Sequence, residues 1–317
     1  MVADTIKINL NTEQRAEIEK LIKKEVYQNL YSEIKKICNY LKDKKFIKTA
    51  ELINAKEKVY KICLLDNTSA LKKFTEISQN AFEEDSKGKC ATLTKETQKY
   101  INTGYNEVYR KFSTHAAAYK ILKVMGVNVC PYCNRQYTFT VHKEKKIRPE
   151  FDHFFPKSDY PFLAVSIYNL VPSCGLCNKG KSKSSPEKFL YPYEESFEDK
   201  NIRFELCNVI ENLLKQEEIV VKLGPVEKHG DLIKQYNDSF KIEALYEQHS
   251  DYILELLYKN YIFNDEAIES IYRSYEEFFN SKSELEQLIL GKYEPVNFNQ
   301  RPLSKLTRDI LQQLVRK

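Results

Sequence analysis

The chain has 317 residues, 30% charged and 42% in the hydrophobic set, which is the composition of a globular protein with a real core in one to three domains. No apolar run approaches the roughly 18 residues of a membrane span. Gly (8) and Pro (10) are too few for a fibrous or disordered chain, and the opening MVADTIKINLNTEQ lacks the cationic and apolar regions of a secretory signal. The net charge of +5 is unevenly spread, at +8 over residues 1–129, +5 over 130–190 and −8 over 191–317, which suggests one polyanion-facing side; a solvated lysine-rich helical surface accounts for it equally well.

Residues 11–42 read as one long helix. Asn11 and Gln14 have the spacing of a capping box, and Ile18, Leu21, Ile22, Val26, Leu30, Ile34, Ile37 and Leu41 recur at helical spacing. More helices are expected near 48–64, 68–84 and 91–124, so residues 1–125 form a helical N-terminal region. From Met125–Gly126 to about Pro192 cysteines, prolines and aromatics crowd together. Gln136–Val141 alternates and is rich in β formers, and Ile147–Phe151 can pair with it across the charged turn His142–Lys146. Two β-like runs follow, Ile202–Leu206 and Ile219–Leu223, and then helical patterns over about 231–262, 265–281 and 302–316. The predicted fold class is α+β and predominantly helical, with a metal-stapled centre over 126–192 and a mostly helical region with a short β element over 193–317. The centre is too short for a core of its own and needs a staple.

The eight cysteines supply one. Four form two CxxC pairs, Cys130-Pro-Tyr-Cys133 and Cys174-Gly-Leu-Cys177, and each pair can present two thiolates to one tetrahedral ion. In the reducing cytoplasm expected of a chain with no visible secretory signal, structural Zn²⁺ is favoured over a redox role. The pairs stand about 40 residues apart, beyond the spacing of an ordinary zinc ribbon, so something sizeable lies between them. Cys38, Cys63, Cys90 and Cys207 have no ligand spacing and read as buried thiols. His115, His142, His229 and His249 read as structural.

The segment between the pairs holds the chemistry. Asp152 and His153 are adjacent at the end of a predicted strand and diverge across it. Asp152 offers a hard oxygen suited to Mg²⁺ or Mn²⁺, and an imidazole titrates in the range of a general base. Asn178 follows the second pair in the first turn of a predicted helix, where zinc at Cys174 and Cys177 would turn it toward Asp152. Lys179, Lys181 and Lys183 form a basic run, and Lys143, Lys145, Lys146 and Arg148 an exposed hairpin tip.

Asp152, His153, Pro156, Asn169-Leu170, Cys174, Cys177, Asn178 and Lys181, with the preceding Cys130 and Cys133, resemble the HNH (ββα-metal) endonucleases over about residues 126–192. Cys-Pro-Tyr-Cys-Asn-Arg and Pro-Lys-Ser-Asp-Tyr-Pro look like HNH nucleases of bacterial anti-phage systems, the Septu type among them. The resemblance implies a metal-dependent endonuclease acting on DNA. His153 would be the general base, Asp152 and Asn178 would hold the catalytic divalent ion, Asn169 would orient His153 by a hydrogen bond, and Lys181 would neutralise a phosphate oxygen. Lys157, Lys179 and Lys183 would contact nucleic acid. An ATPase or sensor subunit is an implied partner, and no membrane is. Without the resemblance, the same residues also describe a non-catalytic zinc-dependent nucleic-acid-binding module or an interaction subunit. Asn169 and Asn178 could then be plain turn and helix caps.

Overall fold

Asn11 starts the first helix as its spacing predicts. Its side chain accepts from the Gln14 amide at 2.8 Å, and the Gln14 side chain accepts from the Asn11 amide at 3.0 Å. The computed structural model describes residues 7–142, 146–182, 184, 186–207, 219–293 and 298–315. Predicted positions Lys143, Lys145 and Lys183 lie outside them.

The described residues are predominantly helical, with three two-stranded sheets, and none of their helices is long and apolar enough to cross a membrane. The chain divides into two compact units. One comprises residues 8–127 and 138–194; the other comprises residues 1–7, 128–137 and 195–317.

The first unit holds α1 (Thr12–Glu25), α2 (Tyr31–Asp43), α3 (Ile47–Glu51), α4 (Lys56–Cys63), α5 (Thr68–Ser86), α6 (Ala91–Thr114) and α7 (Ala116–Met125). Expected long helices are broken in three places. A π-helical turn, Val26–Leu30, interrupts 11–42 while keeping Ile18, Ile22, Val26, Leu30, Ile34, Ile37 and Leu41 buried on one face. The stretch 48–64 divides into α3 and α4, and 91–124 divides at His115. His115 takes an extended backbone, caps α7 by accepting from the Ala117 amide, and sets its Nδ1 3.0 Å from Glu25. α1 packs on α7, α2 on α3 and α6, and α3 on α5. Gly104 lets α6 approach α2, because a Cβ there would come 2.7 Å from Ile37.

Four short strands complete this unit: β1 (Val141–His142), β2 (Lys146–Ile147), β3 (Glu150–His153) and β4 (Leu170–Ser173). The expected hairpin forms only at its tip, with Val141 opposite Ile147. Glu150 and Phe151, expected to pair back onto 136–141, pair instead with Ser173 and Pro172 of β4. The buried run Leu170–Val171 wins that competition because it lies in the core, whereas Tyr137, Phe139 and Val141 stay exposed. β4 leads directly into α8 (Gly175–Lys181), which packs on β3.

The second unit is built on a ribbon of β5 (Arg203–Cys207) and β6 (Val220–Gly224), matching the two predicted runs and paired Arg203 to Gly224 through Cys207 to Val220. α9 (Val226–Phe240), α10 (Ile242–Glu247), α11 (Ser250–Ile262), α12 (Asp265–Ser274) and α13 (Lys282–Leu290) follow. α13 lies outside the helices expected from the sequence, and the expected helix 265–281 ends early at Ser274. The last helix, α14 (Ser304–Val315), packs on β5. It serves the ribbon as a side-chain edge. Asp309 accepts from the Phe204 amide (2.9 Å), and Gln313 accepts from and donates to Leu206 (2.9 Å each).

Candidate active site and cysteine cluster

Side chains alternate across β3, so Glu150 and Asp152 turn to one side and Phe151 and His153 to the other. α8 covers the first side. Its Asn178 donates to Glu150 Oε2 at 2.5 Å, and one turn further Lys181 brings its ammonium to 3.2 Å from Asp152 Oδ2. Lys181 is fully buried and donates also to the carbonyls of His153 (3.0 Å) and Phe154 (3.1 Å). Burial pulls its pKa down, and the Asp152 charge works against that shift. The expected role of Lys181 at a phosphate oxygen is therefore corrected. Its donors are spent inside the protein, because the last turn of α8 points it behind β3 rather than outward.

His153 occupies the opposite side. Its Nε2 lies 3.0 Å from the Ala164 carbonyl, an acceptor, so Nε2 carries the proton and Nδ1 keeps its lone pair. Burial drives the imidazole pKa down to about 3, with the nearby Lys157 and Lys181 charges adding to the effect. The expected hydrogen bond from Asn169 to His153 is not what forms. Asn169 is fully buried; it accepts from the Phe155 amide (2.7 Å) and donates to the Phe155 and Leu163 carbonyls (3.1 Å each). It clasps the loop between β3 and β4. The next residue in that loop, Ala164, supplies the carbonyl that holds the imidazole, so Asn169 acts on His153 at one remove.

Two further residues border the site. Glu150 was legible in principle, because period-two alternation in Glu-Phe-Asp-His puts it beside Asp152. Tyr109 was not, because it arrives from α6. Its ring meets the His153 ring edge-on at 4.6 Å, and the Lys157 ammonium sits 4.4 Å from the Tyr109 centroid. Lys157 is part-buried, which lowers its pKa, while Lys179 is exposed on α8.

The Sγ atoms of Cys130, Cys133, Cys174 and Cys177 all lie within 4.8 Å of one another, and all four residues are buried. Tetrahedral zinc at a Zn–S distance of about 2.3 Å sets its thiolates about 3.8 Å apart, so the group has the dimensions and donor chemistry of a structural zinc site. Each pair is shaped by its own backbone. Cys174 caps α8 and accepts from the Asn178 amide (3.0 Å); Cys130 accepts from the Asn134 amide (2.8 Å) in a turn where Asn134 takes a positive φ of 45°. That turn is pinned from afar. Asn134 donates to the Phe298 carbonyl (2.9 Å) and accepts from the Lys305 amide (3.0 Å), and Tyr246 donates to the Cys133 carbonyl (2.5 Å). Of the other cysteines, Cys38 and Cys63 are buried as expected, with the Cys63 thiol pushed up to about 12 by burial. Cys90 is instead exposed and Cys207 part-buried. A helix N-cap belongs at the surface, and Cys207 falls on the outward alternation of β5.

Comparison with known proteins adds one relationship. No family model matches the chain, and no solved structure matches it. Over 98 residues, 30% of its length, the chain is 37% identical to a Bacillus thuringiensis protein named Septu protein PtuB, and the match spans 34% of that protein. The chain thus shares with a Septu protein a stretch covering about a third of each.

Proposed function

We propose that the chain is a metal-dependent endonuclease of the HNH class that hydrolyses DNA phosphodiester bonds as an effector of bacterial anti-phage defence. One observation carries the catalytic part: β3 presents an imidazole of fixed tautomer on one side and the Glu150 and Asp152 carboxylates on the other, where Asn178 and Lys181 of α8 meet them. His153 is unprotonated at neutral pH, and with Nε2 committed to Ala164 its Nδ1 accepts a proton from the attacking water. A bound phosphodiester offsets the lysine charges and raises that basicity. Asp152 and Asn178 would hold Mg²⁺ or Mn²⁺ through hard oxygen donors, and the Glu150 bond fixes which end of the Asn178 amide is the oxygen. When bound, such an ion polarises the scissile phosphate and stabilises the leaving 3′-oxygen. Lys157 and Lys179 supply phosphate contacts. Similarity to a Septu protein supports the defence role, with an ATPase or sensor subunit as the corresponding partner.

The test is supercoiled plasmid incubated with the protein and Mg²⁺ or Mn²⁺, beside a His153→Ala control. Nicked or linear product from wild type alone is the expected result. Equal cleavage by both counts against the reading. Salt-sensitive binding without divalent-dependent cleavage would assign the chain to zinc-dependent nucleic-acid binding instead.

A further inference from the structure

We infer that Tyr109, on a helix outside the segment that carries the metal and base residues, is a positioning residue serving two groups of the site at once: it buttresses the His153 imidazole and seats the Lys157 ammonium as a phosphate contact. The inference rests on the nuclease reading. Two observations converge on this ring. The His153 ring meets it at 4.6 Å with an interplanar angle of 67°, so one aromatic blocks rotation of the other. The Lys157 ammonium lies 4.4 Å from the same centroid, closer than the outer limit of about 6 Å for a cation–π contact.

The surroundings hold Tyr109 still. α6 is fixed to the segment leading into β3 through Arg148, which donates to the Ser113 carbonyl of α6 (3.1 Å) and to the Pro149 carbonyl (2.8 Å). On the same helix Asn102 donates to the Ser158 carbonyl (3.0 Å), next to Lys157. Tyr105, one turn before Tyr109, packs edge-on against Phe162 at 5.2 Å, two residues before the carbonyl of Ala164 that fixes the imidazole. The helix therefore touches the strand, the loop and the base. An imidazole bound at one nitrogen alone can still swing about that bond, and a ring against its edge removes this freedom. A lysine seated on an aromatic face loses less rotamer entropy when a phosphate arrives than one in open water.

The experiment compares wild type, His153→Ala, Tyr109→Leu, Tyr109→Phe and Lys157→Ala in plasmid cleavage with Mn²⁺, with melting temperatures measured alongside. Tyr109→Leu is expected to lower kcat about tenfold and to raise KM, because both supported groups are loosened. Tyr109→Phe keeps the ring and should recover most of the lost rate. Lys157→Ala should raise KM with kcat largely kept, and adding it to Tyr109→Leu should raise KM little further, since both act through one contact. A Tyr109→Leu protein that melts like wild type and cleaves like wild type overturns this inference alone. A melting temperature lowered in parallel for Tyr109→Leu and Tyr109→Phe, with no rescue of rate by Phe, also overturns it. No cleavage by wild type, or equal cleavage by His153→Ala, overturns the nuclease reading and this inference with it.

Discussion

The Lys181 ammonium lies 3.2 Å from the Asp152 carboxylate, and both side chains are almost wholly excluded from solvent. Two backbone carbonyls complete the ammonium's shell, so Lys181 is held inside the protein rather than in a surface bridge. Breaking it by removing one partner leaves a charge stranded. Lys181→Met and Asp152→Ala are each expected to destabilise the protein by about 3–5 kcal/mol in urea unfolding, and the double variant by less than their sum. Additivity would show that the two charges do not interact.

His153 should be present as the Nε2–H tautomer at pH 7, and long-range ¹H–¹⁵N NMR should find Nδ1 unprotonated. With its pKa driven to about 3, the folded imidazole stays neutral at pH 5, while the unfolded chain takes up a proton near 6.5. The unfolded state therefore binds more protons between those values. This contribution to stability is complete above pH 6.5 and lost progressively as pH falls. His153→Ala should flatten the slope of unfolding free energy with pH below 6.5; an unchanged slope would assign the dependence to other groups.

Metal analysis of the purified protein should find about one zinc per chain, the stoichiometry of a four-thiolate site. Cys130→Ser and Cys174→Ser should each lose most of it and lower the melting temperature, whereas Cys90→Ser, at an exposed helix cap, should retain it. Zinc retained by both Cys130→Ser and Cys174→Ser would rule out the four-cysteine site.

Asn169→Asp keeps shape but loses the two amide donors to Phe155 and Leu163, leaving buried carbonyls facing a carboxylate. A loss of about 2–3 kcal/mol is expected, with cleavage reduced beyond what the unfolded fraction explains, because the Ala164 carbonyl shifts with its loop. Activity that tracks only the folded fraction would confine Asn169 to stability.

The regular parts of the fold were legible in the sequence because their signals are local. The Asn11 cap, the buried stripe from Ile18 to Leu41 and the runs that became β5 and β6 each contain their own evidence. The breaks at Val26, at His115 and between α3 and α4 were not, since they arise from packing and capping that helical periodicity does not register. Phe151 pairs with Pro172 rather than with 136–141 for a related reason: strand propensity says that a segment will pair, not with which of two neighbours. At the site, residue types and spacing pointed to Asp152, His153, Asn178 and the four cysteines, and the HNH resemblance added Asn169; of these the four cysteines do come together. Types and spacing could not say that Lys181 turns inward, that a backbone carbonyl would hold His153, or that Tyr109 would arrive from α6, since each depends on a contact between distant segments.

The turn at Cys130–Asn134 is pinned by Tyr246, Phe298 and Lys305, residues 113 to 171 positions later in the chain. On a ribosome adding about 5–20 residues per second, the first two thiols wait roughly 10–30 s for the last of their anchors. For that interval Cys130 and Cys133 sit in a turn whose distant anchors have not yet been made. Ribosome pausing late in synthesis would lengthen this interval, so the four-cysteine group can take up an ion in its final geometry only once the C-terminal anchors have been made.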